Sequence, residues 1–237
     1  NIHASEFLYK KNVLVVRGSY RPMTLVNEDM INKSYTQFKN EDEVDEEKMS
    51  LLTEITVENL RENGSLSDQD FLDRTEILCS LGHTIVVSNC EEYQKLIQYL
   101  EEYKVKNLGL VIGLNQLNNL IKNLFEKNFK GRLLAAFGDI FLNNVRLYVY
   151  PVISVRDGEI KHCADLPIPE KIQFLFKHLV ENQEIKDVEN YNSKNLTIFS
   201  KDVLKLIKEG SNKWEKMVPE NVSRLIKEKE LFGFSIR

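Results

Sequence analysis

A short apolar run leads into a turn whose residue types suit a phosphate-binding loop. The letters NVLVV at 12–16 are followed by Arg17, Gly18 and Ser19, and then by a polar run toward a helix. Small residues at such a turn let backbone N–H groups approach phosphate oxygens at the N-terminus of the next helix. The turn predicts either a nucleotide-phosphate site or an ordinary strand-to-helix connection. Tyr20 within it either packs the turn or stacks on a base.

Three basic side chains lie at predicted strand ends, where the carboxyl edge of an open α/β sheet binds ligands. They are Arg17, Arg21 and Lys201. Each is interpreted either as a surface charge or as an anion-binding group. Lys201 is favoured because a helix is predicted to start beside it, and the helix dipole adds to the attraction of an anion.

Polar residues follow other predicted strands at the same edge. Ser88 and Asn89 either cap the next helix or contact a base or ribose. Asn115 and Gln116 follow another strand, which ends at Gly113, and are ambiguous in the same way. Ser200 precedes Lys201. We expect the fold to bring these sequence-distant residues to one rim.

The histidines and cysteines predict neither a metal site nor a disulfide framework. The chain has four histidines and three cysteines, and none of them forms a closely spaced metal-binding pair. Scattered free cysteines favour an intracellular, reducing compartment, with the cytoplasm and an organelle matrix both open.

Short apolar runs alternate with amphipathic segments along most of the chain, which predicts a parallel sheet covered by helices on both faces. We therefore expect a Rossmann-like three-layer α/β sandwich with about five parallel strands and additional C-terminal helices. Residues 12–237 are predicted to form a single domain, preceded by a leader or linker at 1–11. Within this pattern a helix is predicted over 49–63, a second helix from a serine cap at Ser67 to Gly82, and a short strand at 196–199.

Composition narrows the classes of partner. The 237 residues carry a net charge of −4 and are 42% hydrophobic, so a sizeable core is expected and nucleic-acid binding is not. No apolar run is long enough for a membrane-spanning helix. Because residue 1 is Asn, we expect a processed or excised piece that a targeting peptide or domain once preceded.

The turn at 15–30, VVRGSYRPMTLVNEDM, resembles the signature of the nucleotidylyltransferase superfamily, G-[ST]-F-x-P-x-[HT]-x-G-H. The matching positions are Gly18, Ser19, Tyr20, Pro22 and Thr24. Three further stretches resemble family motifs in the same order: FLDRTEIL at 71–78, LVIGLNQLNNL at 110–120, and IFSKDVLKLIKEG with MVPENVSRLIKEKELFG near the end. The nearest relatives implied are nicotinate or nicotinamide mononucleotide adenylyltransferases.

The chain also departs from the family pattern at charged positions. Asn27 stands where the family has a catalytic histidine, Leu204 where it has a phosphate-binding arginine, and Asn115 where it has an aspartate near the ribose. Thr24 stands at the [HT] position of the signature, where the family tolerates threonine. Loss of one such charged contact costs about 2.7–4 kcal/mol of transition-state stabilisation. Arg17, Arg21 and Lys201 are available as substitute charges.

The resemblance implies a nucleotide-binding adenylyltransferase that joins ATP and a mononucleotide to give a dinucleotide and pyrophosphate. Mg²⁺ would accompany ATP, and no tightly bound cofactor is expected. Catalytic roles would fall to Arg21, Thr24, Asn27 and Lys201, and nucleotide contacts to Arg17, Gly18, Ser19, Tyr20, Ser88, Asn89, Gly113, Asn115 and Ser200. The alternative is a catalytically degenerate member that serves as a structural or regulatory subunit, in a homo-oligomer or a larger assembly. A third interpretation is a different phosphate chemistry that uses the three basic residues.

Overall fold

The computed structural model describes residues 3–62, 65–128, 131–141 and 145–235. Its strands are β1 (Asn12–Arg17), β2 (Met49–Thr56), β3 (Arg61–Glu62), β4 (Ser65–Leu66), β5 (Thr84–Ser88), β6 (Asn107–Gly113), β7 (Val145–Tyr150), β8 (Val152–Ile153), β9 (Ile160–Lys161) and β10 (Ile185–Asp187). Its α-helices are α1 (Ala4–Leu8), α2 (Leu25–Lys39), α3 (Val57–Leu60), α4 (Asp68–Ser80), α5 (Tyr93–Glu101), α6 (Leu114–Asn128), α7 (Leu133–Gly138), α8 (Gln173–Glu181), α9 (Ser200–Lys208) and α10 (Glu220–Glu228).

Six parallel strands form one sheet in the order β10-β7-β6-β1-β2-β5, and helices flank it. The central strands are buried along nearly their whole length, which explains their continuous apolar runs. Two smaller antiparallel pairs, β3–β4 and β8–β9, lie outside this sheet. The predicted α/β, Rossmann-like fold is confirmed, with six parallel strands rather than about five.

By its internal contacts the chain divides into two compact units, each assembled from three separated segments. The first unit comprises Asn1–Val16, Lys33–Leu51 and Glu92–Asn190. Its core includes a close approach at Gly109, where an added Cβ would lie 2.6 Å from Leu14 Cδ1. The segment predicted as a leader or linker contains α1, whose Leu8 is buried, and the Phe7 carbonyl accepts a hydrogen bond from the Ser50 hydroxyl.

The second unit comprises Arg17–Asn32, Leu52–Glu91 and Tyr191–Arg237. In it β2 pairs with β5 from Leu52↔Thr84 to Thr56↔Ser88. The predicted helix at its centre is α4: the Ser67 hydroxyl accepts from the Asp70 N–H, and Gly82 has a φ of +80° just beyond the helix end. The C-terminal part packs around Trp214, which is fully buried.

Two predicted elements are wrong. Residues 49–56, predicted as the first half of a helix, form the strand β2, and only the short α3 follows. A buried glutamate in the middle of LTEIT hid the strand, because its charge suggests a solvent-facing helix position. The predicted strand at 196–199 is wrong as well: Ser193–Thr197 is a 3₁₀ helix, and the edge strand is β10, with the sequence IKD.

No helix in the described part of the chain is long and apolar enough to cross a membrane.

Candidate functional site at the end of the first strand

The turn after β1 is ordered by contacts within the second unit. The Gly18 N–H donates to the Glu54 carbonyl at 3.1 Å. Tyr20 is buried, with a φ of +46°, and its ring lies so close to Gly18 that an added Cβ there would be 2.9 Å from Tyr20 Cζ. Gly18 is therefore required by the packing of the aromatic ring, independently of any bound phosphate. Ser19 is exposed on the turn.

Arg17 makes a buried ion pair at the base of the turn. Its Nε donates to Glu54 Oε2 at 2.8 Å and its Nη2 to Glu54 Oε1 at 3.0 Å. The same guanidinium donates to the carbonyls of Cys90 and Glu91. The exposed fractions are 8% for the Arg17 side chain and zero for that of Glu54, so the pair is shielded from water. Glu54 therefore neutralises the charge of Arg17. The pair links the ends of β1 and β2 to the residues that follow β5.

Ser88 joins the same cluster from β5. Its hydroxyl donates to Glu54 Oε1 at 2.5 Å and accepts from the Cys90 N–H at 3.3 Å. The structure therefore brings together Arg17 and Ser88, as the sequence predicted, and the group that joins them is Glu54. Glu54 was missed because β2 was predicted as a helix. Asn89, the next residue, is exposed.

Arg21 is held by a carboxylate of α4. Asp70 accepts from the Nε of Arg21 and from the Nη2 of Arg74. Arg74 is 2% exposed and also donates to the Ser19 carbonyl at 3.0 Å and to the Asn59 carbonyl at 2.8 Å. The peptide bond between Arg21 and Pro22 is cis. Arg74 therefore holds the backbone of the turn through the Ser19 carbonyl.

Sequence reasoning missed the roles of both Asp70 and Arg74. The signal was present, because Arg74 lies in the FLDRTEIL stretch that resembles a family motif, and Asp70 lies in the predicted cap of α4.

Thr24 and Asn27 form a reciprocal cap at the start of α2. Asn27 Oδ1 accepts from the Thr24 N–H and from the Thr24 hydroxyl, both at 3.0 Å. The Asn27 N–H in turn lies 3.5 Å from Thr24 Oγ1. This is the geometry of a capping box with asparagine as the third helical residue. The residue at the histidine position of the resembled family therefore holds the helix start.

Negative charge is concentrated on the first turns of α2. Burial, and then the neighbouring charge of Asp29, raises the pKa of Glu28 above its ordinary value. Asp29 itself accepts from the Asn192 N–H at 2.9 Å, and Asn195 donates to the Leu25 carbonyl at 3.4 Å. The segment that leads into α9 is thereby attached to the start of α2.

Ser200 and Lys201 occupy the first turn of α9. Ser200 is half-buried and Lys201 is exposed, while Leu204, one turn later, is half-buried. No side chain caps this helix at Phe199. The N-terminal N–H groups of α9 and the ammonium of Lys201 both favour negative charge there, and the carboxylate of Asp202 in the same turn offsets part of this attraction.

Gly113 and Asn115 lie in the first unit, at the junction of β6 and α6. The Gly113 N–H donates to Gln116 Oε1 at 3.0 Å, and Asn115 is exposed. Their predicted nucleotide contacts stay a prediction. Across the described residues, no group of three or more His, Cys, Asp or Glu side chains is placed to hold a metal ion.

The described fold resembles that of a solved adenylyltransferase. A Plasmodium falciparum nicotinic acid mononucleotide adenylyltransferase complexed with APC is 14% identical, with a TM-score of 0.52, covering 96% of this chain and 100% of that one. This likeness supports the predicted Rossmann-like α/β fold. A Vibrio parahaemolyticus protein named as a nicotinate-nucleotide adenylyltransferase is also 14% identical, with a TM-score of 0.43, covering 94% and 95% of the two chains. No protein-family model and no curated protein matches the sequence.

Proposed function

We propose that the chain binds ATP at the turn 17–24 and transfers its adenylyl group to a mononucleotide of the nicotinate or nicotinamide type. The observation that carries the proposal is the fixed strand–turn–helix after β1. Arg74 holds the Ser19 carbonyl, and Asn27 fixes the start of α2. A turn ordered before binding loses little conformational entropy when phosphates contact its backbone.

The proposed reaction is an in-line displacement at the α-phosphorus of ATP. A phosphate oxygen of the mononucleotide forms the new P–O bond while the bond to pyrophosphate breaks, and pyrophosphate leaves with its electron pair. Arg21 and Lys201 oppose the negative charge, and Ser88 and Asn89 contact the mononucleotide. Arg21 keeps this role although Asp70 pairs with it, because Asp70 is shared with Arg74 and one carboxylate offsets only one of the two guanidiniums. Mg²⁺ bound to the phosphates of ATP would supply further positive charge.

Turnover is slow in this proposal. Asn27 and Leu204 carry no charge where the resembled family has a histidine and an arginine. Loss of one charged contact to the transition state slows a reaction by roughly 10²- to 10³-fold. Arg17 does not replace the missing charge, because Glu54 already pairs with it. We assign Arg17 a positioning role at the base of the turn.

A degenerate member with a structural or regulatory role is the second candidate. The observation in its favour is the state of Asn27, whose carboxamide oxygen accepts both Thr24 donors and so serves the helix start. In this case the turn keeps its shape for packing, and nucleotides add no stability.

Nucleotide binding separates the two candidates. Thermal unfolding is followed with and without MgATP, and saturation at about 100 times Kd adds about 2.7 kcal/mol to the free energy of unfolding. Pyrophosphate release is then measured with nicotinate or nicotinamide mononucleotide. Stabilisation together with pyrophosphate release supports the enzyme. A melting temperature that stays constant at millimolar MgATP overturns the proposed function and favours the structural role.

Two lysines of one helix provide a matched pair of variants. Lys201→Ala removes the cation from the first turn of α9, and Lys205→Ala removes another exposed cation a turn later, which lies 3.8 Å from Glu209. We expect Lys201→Ala to weaken ATP binding several-fold and Lys205→Ala to leave it unchanged. Equal effects from the two variants would remove Lys201 from the site. Arg21→Ala is expected to abolish pyrophosphate release, and full retention would refute its role.

A further inference from the structure

A polar groove runs along the edge strand β10 in the first unit. The cavity has a volume of about 650 Å³. Its two walls come from the second half of α2 and the end of α8, and its floor is β10 with the residues that follow. The cavity therefore lies where a further strand would extend the sheet.

A side-chain amide already occupies one pairing position on this edge. Gln37 Nε2 donates to the Asp187 carbonyl at 3.1 Å, and Gln37 Oε1 accepts from the Glu189 N–H at 3.1 Å. In a parallel ladder, a residue opposite Val188 would donate to the carbonyl of 187 and accept from the N–H of 189. The Gln37 carboxamide makes the same two bonds, so it stands in for the peptide groups of a neighbouring strand.

The next pairing position also faces the groove. On the inner side of β10, the Glu184 carbonyl accepts from the Leu147 N–H, and the Val188 N–H donates to the Val149 carbonyl. Because backbone groups alternate along a strand, the Ile185 carbonyl and the Asp187 N–H point away from β7. An extended chain in the groove could therefore pair at two successive positions.

The walls indicate the side chains that such a segment would carry. Of the twelve lining residues, five are charged, with both signs present, and five carry a hydroxyl or carboxamide group: Thr36, Gln37, Asn40, Gln183 and Asn190. On the floor, Lys186 Nζ lies 2.6 Å from Glu41 Oε1, so these two charges offset one another. Polar, uncharged side chains suit this surface better than a run of one charge.

We propose that this groove binds an extended polar peptide segment, which adds to β10 as a seventh, parallel strand and displaces the Gln37 carboxamide. Strand addition of this kind obtains affinity from main-chain hydrogen bonds and selectivity from the lining side chains. Until a segment binds, Gln37 keeps the edge from pairing with other chains. The proposal does not depend on any nucleotide chemistry.

The test uses the full chain and a short acetylated peptide amide of alternating serine and asparagine. Its titration is followed by the backbone amide resonances of Asp187 and Glu189 and by the side-chain amide of Gln37. We expect all three to shift together at millimolar peptide. The same peptide with every backbone nitrogen methylated lacks all main-chain N–H donors, and we expect it to shift none of them. Equal shifts from both peptides, or none from the first, overturn the proposal.

A variant of Gln37 tests directly whether the peptide displaces the Gln37 carboxamide from β10. Gln37→Ala removes the competing carboxamide, so the peptide should bind about tenfold more tightly, the gain expected from about two modest hydrogen bonds. Gln98→Ala changes an exposed glutamine of α5 and should leave binding unchanged. Unchanged or weaker binding to Gln37→Ala overturns displacement. If that variant fails to fold, the two peptides still decide the matter on the wild-type chain.

Discussion

Asn27 caps the start of α2 at the position where the resembled family has a histidine. Asn27 Oδ1 satisfies the Thr24 N–H, which belongs to the unpaired donors of the helix N-terminus. Asn27→Ala should therefore lower the free energy of unfolding by about 1 kcal/mol. Urea unfolding measures the change. Asn27→Asp keeps an acceptor there and should cost much less, and equal losses from both variants would contradict the cap.

The buried ion pair between Arg17 and Glu54 also contributes to stability, and its burial makes the loss of either partner costly. Removal of one partner leaves the other charge unpaired in a site without water, which costs about 3 kcal/mol or more. We expect Arg17→Met to show this loss in urea unfolding. The double variant Arg17→Met with Glu54→Gln should be less destabilised than the sum of the two single variants. Strict additivity would mean that the two side chains do not interact.

At the scale of the elements, the acidic segment 41–47 is held against the sheet by ion pairs and hydrogen bonds. Such a run is typical of a solvated loop, yet Glu41 is anchored by Lys186 at 2.6 Å and by the Tyr148 hydroxyl at 2.8 Å, and Glu43 by Arg146 at 2.8 Å. Burial alone would raise the pKa of Glu41. Its hydrogen bonds to Lys186 and Tyr148 and the charge of Arg146 outweigh burial and hold that pKa below its ordinary value.

This lowered pKa predicts a pH dependence of stability. A carboxyl whose pKa is lower in the folded state stabilises the fold above its unfolded pKa, and the contribution is lost as pH falls through the folded pKa. Glu41→Gln should therefore destabilise the chain at about pH 7 and approach the wild type at about pH 3. Urea unfolding at the two pH values measures the difference. A gap that persists at low pH would indicate lost packing rather than lost charge.

The strands show how far a sequence predicts elements. The runs NVLVV and NLGLVIG were recognised because strands buried on both faces contain little but apolar residues. β2 was missed because Glu54 interrupts such a run, and its buried partner lies 37 positions away in the sequence. β10 was missed because three residues, two of them charged, resemble a surface loop when only one edge is paired.

The candidate site, like the strands, could be predicted only in part. The turn 17–24 and Ser88 follow from strand ends, whereas the carboxylates that hold them do not. Asp70 and Glu54 act through long-range pairing, and a single sequence carries no record of which charge meets which.

At the scale of the whole molecule, strand order cannot be read from the sequence. β1 pairs with β6, with Asn12 opposite Asn107, although many residues and several elements separate them. Each of the two units is built from three separated segments, so chain continuity gives no guide to the boundary. Ligand effects within the second unit are therefore best located by a method that reports on every segment at once.

Amide hydrogen exchange meets that need and tests the proposed nucleotide sites. ATP should slow exchange in the turn 17–24 and at the start of α9, because bound ligand suppresses local opening of the segments that it contacts. The mononucleotide should slow exchange at 88–91. The buried strand β7 serves as an internal reference, because its amides open rarely with or without ligand. Protection by ATP outside 17–24 and α9, with none within them, would place the nucleotide elsewhere. Absence of protection by either ligand would leave the turn as a packing device, in which Asn27 and Arg74 hold a shape that binds no phosphate.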